Sequence, residues 1–102
     1  MDKSLILNAD EIAHVSSALE TFIDNDSASV AGIMFQKDIK ERLVSSCLNK
    51  LSSYSPLTYF TKQEYTVMFA ATLFVIQLFE KNGSEADDAL FSAQNKLSML
   101  AE

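Results

Sequence analysis

Residues 61–83, TKQEYTVMFAATLFVIQLFEKNG, decide the fold of this chain. Thr61 is a favoured helix N-cap, and Glu64 follows three residues later, where its carboxylate can return to the cap as in a capping box. Phe60 and Tyr65 flank that start at the spacing of a hydrophobic staple. The pattern predicts a helix that begins at residue 62.

The same stretch indicates where this helix ends and where it lies. Gly83 follows Asn82, as is typical of a helix C-terminus, because glycine adopts the left-handed conformation there without strain. The fifteen residues 65–79 carry no charge. As a helix they span only about 22 Å, short of a hydrocarbon core of about 30 Å. We therefore predict a buried helix over 62–82 and no membrane insertion.

The apolar arc of the helix over 62–82 is unusually wide. Its polar strip on a helical wheel is narrow, and it consists of Lys62, Gln63, Thr66, Gln77 and Lys81. A helix of a four-helix bundle normally buries a narrower stripe. Either this helix is central within its own chain, or part of it is covered by a partner, in which case a homodimer is expected.

Two further helices begin with similar signals. Asn8 and Glu11 have the spacing of a capping box ahead of a helix over 9–24. Ser84 and Asp87 have the same spacing ahead of a helix over 85–100. The apolar residues of each helix fall on one stripe at about 100° per residue, which predicts that each helix buries a single face.

The sequence leaves two alternatives for the second helix. A helix over 27–53 is expected because Asp26 or Ser27 can cap it and Pro56 prevents its continuation. Its apolar residues, however, do not keep to one face. Either the helix is continuous, or it breaks near Gly32–Gln36 and the chain has five helices.

These elements predict one all-α domain over residues 1–102. The connections at 24–27 and 82–84 are short, so the first and last helix pairs are expected to be antiparallel hairpins. The expected fold is an antiparallel up-down four-helix bundle, or a five-helix bundle if the second helix breaks. No internal repeat is evident in the sequence.

Composition restricts the partners and the compartment. The chain carries 8 Lys and Arg against 14 Asp and Glu, a formal net charge of -6, which disfavours nucleic-acid binding because phosphates require cations. Asp38 and Arg42 have the spacing of an ordinary surface ion pair. The chain has one cysteine, Cys47, and no N-terminal apolar run of signal-peptide length. We expect a cytoplasmic protein with a reduced thiol.

No set of residues predicts catalysis, a cofactor or a metal. Cys47 lies on an apolar stripe, where a thiol behaves as a small hydrophobe with a high pKa. His14 lies one turn after Asp10 on a polar face, and nothing nearby supplies the further ligands of a structural metal site. Acid–base catalysis by two carboxylates requires that one of them is buried, whereas the acidic residues here fall in caps, turns and polar faces. We predict that the chain is not an enzyme.

Two features predict an interaction surface. An antiparallel bundle gathers acidic residues at one end, where they suit a basic partner. They are Asp24, Asp26, Glu80, Glu85, Asp87 and Asp88. Phe91 and Met99 fall off the apolar stripe of the last helix, and large exposed apolar side chains suggest contact with a partner. The candidate interaction residues are Phe91, Met99, Asp24, Asp87, Asp88 and Glu80.

The expected function is that of a small, non-enzymatic protein-interaction or regulatory module of the adaptor, immunity or inhibitor type. It would act on a protein partner or on a second copy of itself. The alternative is a helical bundle that holds a small apolar ligand between its helices. The residues that suggest such a lining are Met34, Met68, Phe69, Phe74 and Phe79.

Overall fold

Four helices build the described part of the fold. The computed structural model of the protein describes residues 7–23, 29–30, 33–34, 37–54 and 58–101. The helices are α1 (Ala9–Ile23), α2 (Lys37–Ser52), α3 (Lys62–Lys81) and α4 (Asp88–Ala101). Two short strands, β1 (Ser29–Val30) and β2 (Ile33–Met34), pair antiparallel between α1 and α2.

The helices form an antiparallel up-down bundle, as the sequence predicts. α1 and α3 each pack against all three other helices, and α2 and α4 flank this central pair. The Leu7 N–H donates to the Tyr54 hydroxyl at 3.0 Å, which joins the start of α1 to the end of α2. The Lys96 ammonium lies 2.8 Å from Glu11 and joins the end of α4 to the start of α1. The predicted all-α bundle is confirmed.

Two of the predicted helix starts are confirmed by reciprocal hydrogen bonds. At α1, the Glu11 N–H donates to the Asn8 side chain at 2.8 Å, and the Asn8 N–H donates to the Glu11 carboxylate at 3.0 Å. At α3, the same two bonds join Thr61 and Glu64 at 3.1 and 2.8 Å. These bonds satisfy N–H groups that a helix start otherwise leaves without partners.

The predicted continuous helix over 27–53 is wrong at its start, because α2 begins only at Lys37. The described residues before it belong to β1 and β2, in which Ser29 pairs with Met34 and Val30 with Ile33. Valine and isoleucine favour extended backbone, which explains why this stretch is not helical. The described residues 29–30 and 33–34 are therefore not part of a helix, and Gly32, Phe35 and Gln36, where a break was considered, lie outside the described residues.

The capping box predicted for the last helix is also wrong. α4 begins at Asp88, and Asp87 is its N-cap rather than Ser84. The Asp87 side chain accepts a hydrogen bond from the Ala89 N–H at 2.9 Å, and the Asp87 carbonyl accepts from the Leu90 N–H at 3.0 Å. Serine and aspartate are comparable N-caps, so the local sequence did not distinguish them.

One core joins all four helices, and α3 is its central element. Its large buried members are Val15, Leu19, Phe22, Val44, Leu51, Phe60, Val67, Met68, Phe74 and Leu97. Phe79 is the one exposed residue among the apolar side chains of α3. Most of the wide apolar arc is thus buried within the chain, and its half-buried members pack against the core, as the central-helix alternative predicts: Tyr65, Phe69, Leu73, Val75 and Leu78. Among the described residues, no helix has the length and hydropathy needed to cross a membrane.

A lysine from α2 closes the end of α1. The last turn of α1 contains no basic residue. The Lys40 ammonium donates to the Phe22 carbonyl at 3.3 Å and lies 4.9 Å from the centre of the Phe22 ring. A cation is favourable beside the carbonyl end of a helix, so this contact stabilises α1 through a residue that is distant in sequence.

The predicted glycine end of α3 is confirmed. Gly83 has a φ of 75°, and its N–H donates to the Glu80 carbonyl at 3.1 Å. The Ser84 N–H donates to the Phe79 carbonyl at 2.8 Å, which completes a Schellman motif. The motif turns the chain sharply and places the end of α3 beside the start of α4.

We predict that Gly83→Ala lowers the free energy of unfolding by about 1 kcal/mol, because alanine at positive φ is strained. A Cβ at this position would meet nothing within 4 Å, so the cost is conformational rather than steric. Urea denaturation measures the change. Ser84→Ala, an exposed neighbour that keeps its N–H, is the control, and an equal loss in both variants would contradict this role of Gly83.

Candidate functional site

The α3–α4 hairpin gathers exposed carboxylates at one end of the bundle. This acidic end consists of Glu80, Glu85, Asp87 and Asp88, all exposed. Of these four residues, Glu80, Glu85 and Asp88 form no ion pair with any residue that the structure describes. Their charges therefore remain available to a partner. The other predicted members, Asp24 and Asp26, lie outside the described residues.

Asp87 differs from the rest of the acidic end because it has a structural role. It caps α4, and its Oδ1 lies 3.7 Å from Nε2 of His14 on α1. That contact is an ion pair only when the imidazole is protonated. His14 was expected to be solvated beside Asp10, and its contact with α4 could not be seen from the spacing within α1.

Two phenylalanines lie near the acidic end. Phe79 is in the last turn of α3 and Phe91 in the first turn of α4, and their exposures are 38% and 39%. Met99 is 62% exposed, but it lies eight residues after Phe91 and hence about 12 Å farther along α4. The predicted exposure of Phe91 and Met99 is confirmed, but only Phe91 lies near the acidic end.

Two glutamates that the sequence predicts as capping residues are also buried, and each forms an ion pair with a lysine of another helix. Glu11 and Glu64 are only 1% and 3% exposed. Glu11 accepts from Lys96 at 2.8 Å, and Glu64 accepts from Lys50 at 2.6 Å. Each capping carboxylate thereby joins its own helix start to the neighbouring helix. The sequence predicts both caps but not their burial, because the lysine partners lie on other helices.

The second oxygens of these two carboxylates have different surroundings. Oε2 of Glu64 accepts from the Ser46 hydroxyl at 2.7 Å. Oε2 of Glu11 is buried without a hydrogen-bond partner among the described residues. The side chain of Ser92, one turn before Lys96, also helps to lower the pKa of Glu11. Glu64 is thus the better satisfied of the two carboxylates.

Both buried carboxylates have a lowered pKa. Burial by itself raises the pKa of Glu11, but the backbone N–H of Asn8 and the side chain of Lys96 outweigh it. Burial likewise raises the pKa of Glu64, and the side chain of Lys50 and the backbone N–H of Thr61 outweigh it. Hydrogen bonds and a nearby cation favour the charged form, so both groups are charged at neutral pH.

The two ion pairs reveal an internal correspondence between the halves of the chain. SCLNKLS (46–52) in α2 and SAQNKLS (92–98) in α4 differ only at their second and third positions. The shared serine and lysine face Glu64 in one case and Glu11 in the other. Buried residues correspond as well: Val44, Cys47 and Leu51 with Leu90, Ala93 and Leu97.

The hairpin α1–α2 therefore corresponds to the hairpin α3–α4. This corrects the expectation that the chain has no internal repeat. The repeat is hidden in the sequence because the connection over 24–36 is longer than the one over 82–87. A single spacing that aligns α2 with α4 therefore does not align α1 with α3.

The single thiol belongs to the core. Cys47 is fully buried, and its Sγ lies 3.7 Å from the Glu64 carbonyl oxygen. Burial and the nearby Glu64 carboxylate raise the pKa of Cys47 to about 12, although Lys50 opposes the shift. The prediction of a buried thiol with a high pKa is confirmed. In the part of the chain that the structure describes, no group of His, Cys, Asp and Glu could hold a metal ion.

No family model, curated protein or solved structure matches the chain.

We predict that acid destabilises the fold through Glu11 and Glu64. A lowered pKa in the folded state contributes stability above the ordinary value of 4.5. That stability is lost as the pH falls through the lowered pKa, because the folded carboxylates then gain protons. Glu64→Gln should lower the free energy of unfolding at neutral pH by about 3 kcal/mol, since it leaves Lys50 without its buried partner.

Urea denaturation at a series of pH values between about 7 and about 3 tests this linkage, because stability follows proton uptake. The Glu64→Gln variant should lose less stability on acidification than the unmodified protein. Glu20→Gln, which removes an exposed carboxylate of α1, is the control and should keep the original pH dependence. The same acid sensitivity in all three proteins would rule out Glu64 as a source.

We predict that the Cys47 thiol reacts only when the fold opens. With a pKa of about 12 the native thiolate is scarce. An aromatic disulfide reagent should therefore react with the native protein at least roughly a thousandfold more slowly than with the unfolded chain at mildly alkaline pH. Ser53→Cys adds an exposed thiol and should introduce one fast reaction. A fast reaction of native Cys47 would disprove its burial.

Proposed function

We propose that this protein is a non-enzymatic interaction module whose acidic end docks a basic segment of a partner protein. The observation that carries the proposal is the position of Phe91, 39% exposed in the first turn of α4, beside unpaired exposed carboxylates. An aromatic side chain can supply apolar contact area. Surrounding charge steers a partner of opposite sign and selects it.

Capping explains only part of the acidic end. Asp87 is the N-cap of α4, and Asp88 suits the positive end of the same helix dipole. Glu80 lies in the last turn of α3, where a negative charge is unfavourable beside the carbonyl end of the helix. A carboxylate at such a position does not serve helix stability. Recruitment of a basic partner would explain why a carboxylate occupies this position.

Self-association through α3 has less support than the sequence suggested. The wide apolar arc of α3 is covered by the other three helices, so Phe79 is the exposed apolar residue that remains on it. A homodimer through this helix would have to bury side chains that are already half-buried against the core of their own chain. A different chain that carries basic residues is the partner we propose.

The apolar-ligand alternative also has less support. Met68 and Phe74 are packed in the core, whereas Phe79 lies exposed at the end of α3. Met34 lies in β2, and the structure describes its backbone only. Phe69 packs against the same core cluster, so these side chains fill the core and do not form the lining of a ligand cavity.

We also propose that the protein has no enzymatic activity and that it is located in the cytoplasm. The buried titratable groups that the structure describes have structural roles: Glu11 and Glu64 cap helices and bind lysines, Lys40 closes the end of α1, and Cys47 fills the core. A lone buried thiol is compatible with a reducing compartment. These observations support a binding role, for which the exposed residues at the acidic end are the candidates.

Capture of partners from the cells of origin tests the proposal, with identification by mass spectrometry. We expect Asp88→Lys to abolish capture of a basic protein, because it reverses a charge within the acidic end. Glu41→Lys is the matched control, since Glu41 is an exposed carboxylate of α2, which lies outside the α3–α4 hairpin. Added salt should weaken capture by the unmodified protein, because salt screens exposed charges.

A second pair of variants tests the apolar contact. Phe91→Ser should reduce capture at least about tenfold, since aromatic anchors at interfaces commonly contribute more than 1 kcal/mol. Tyr59→Ser is the control, because Tyr59 is the most exposed large apolar side chain among the described residues and lies near the start of α3. Equal capture by Asp88→Lys and Glu41→Lys, or by Phe91→Ser and Tyr59→Ser, would reject the acidic end as the docking site.

A further inference from the structure

A cleft lies between α2 and the start of α3, at the opposite end of α3 from the acidic end. Its volume is about 420 Å³, within the size range of small-molecule sites. Ile39 and Leu43 of α2 supply apolar walls, Glu64 lies at the base, and Arg42 and Gln63 are exposed at the rim. The cleft therefore combines an apolar wall with a cation.

The internal correspondence separates the scaffold of this cleft from its rim. Ser46, Lys50 and Glu64 line the cleft and recur in the other half of the chain as Ser92, Lys96 and Glu11. The rim residues do not recur. Ile39, Arg42, Leu43 and Gln63 correspond to Glu85, Asp88, Ala89 and Asp10. One scaffold thus has an apolar and cationic rim in one half and an acidic rim in the other.

The positive charge at the rim is not neutralised within the described structure. Arg42 forms no ion pair with any described residue, so the surface pair predicted with Asp38 is not formed. Lys50, by contrast, is bound to Glu64 at 2.6 Å and compensates that buried carboxylate. The cation available to a ligand is therefore Arg42, and the lysine serves the scaffold.

We propose that this cleft binds a small aliphatic carboxylate, with the carboxylate on the Arg42 guanidinium and the alkyl chain against Ile39 and Leu43. A guanidinium presents a planar pair of N–H donors that matches both oxygens of a carboxylate. The exposed Gln63 side chain adds a neutral hydrogen-bonding group at the rim. This site is separate from the acidic end and does not depend on the proposed docking function.

Titration of the full-length protein with octanoate, below its micelle concentration, tests the site by amide chemical shifts in NMR. We expect saturable shifts confined to residues 39–46 and 61–64. Acetate lacks the alkyl chain and octylammonium carries the wrong charge, so each should bind at least about tenfold more weakly. Equal binding of octanoate and octylammonium, or shifts spread over the whole surface without saturation, would overturn the proposal.

Arg42→Gln removes the charge from an exposed position and should weaken octanoate binding at least about tenfold, the value of a charge-assisted hydrogen bond. Lys81→Gln removes a cation from the other end of α3 and is the matched control, which should leave binding unchanged. Unperturbed shifts of residues outside the cleft verify that each variant is folded. Undiminished binding by Arg42→Gln, or no saturable binding by the unmodified protein, would overturn the proposal.

Discussion

The buried carboxylates of Glu11 and Glu64 hold the bundle together at two equivalent places. Each closes the start of a central helix and also accepts a lysine from a flanking helix. A buried charge is costly unless it is paired and hydrogen-bonded, so a slip of either flanking helix would leave a carboxylate uncompensated. The two contacts therefore set how α4 lies on α1 and how α2 lies on α3.

This constraint explains why the two halves of the chain share one scaffold but differ at the surface. The serine and lysine of each flanking helix face a buried glutamate, so they are tied to the packing. The rim residues form no ion pair with a buried glutamate, so their identities can differ between the two halves of the chain. As a result, Arg42 stands at one position where Asp88 stands at the other, and the molecule presents surfaces of opposite charge.

The central position of α3 changes where a partner is to be expected. A wide apolar arc on one helix suggested a surface that a second chain would cover. In the fold, three neighbouring helices cover that arc, and the remaining exposed aromatic residues lie where helices begin or end. Helix ends also carry the capping carboxylates, so apolar contact and negative charge occur together at the α3–α4 hairpin.

The sequence by itself determined the caps of α1 and α3, the glycine end of α3 and the burial of Cys47. These features depend on a few neighbouring residues and on a period of about 3.6 residues per turn. The tertiary structure alone decided that α2 starts at Lys37, that two capping glutamates are buried and that Lys40 closes α1. These depend on contacts between residues far apart in the chain, which no local spacing records.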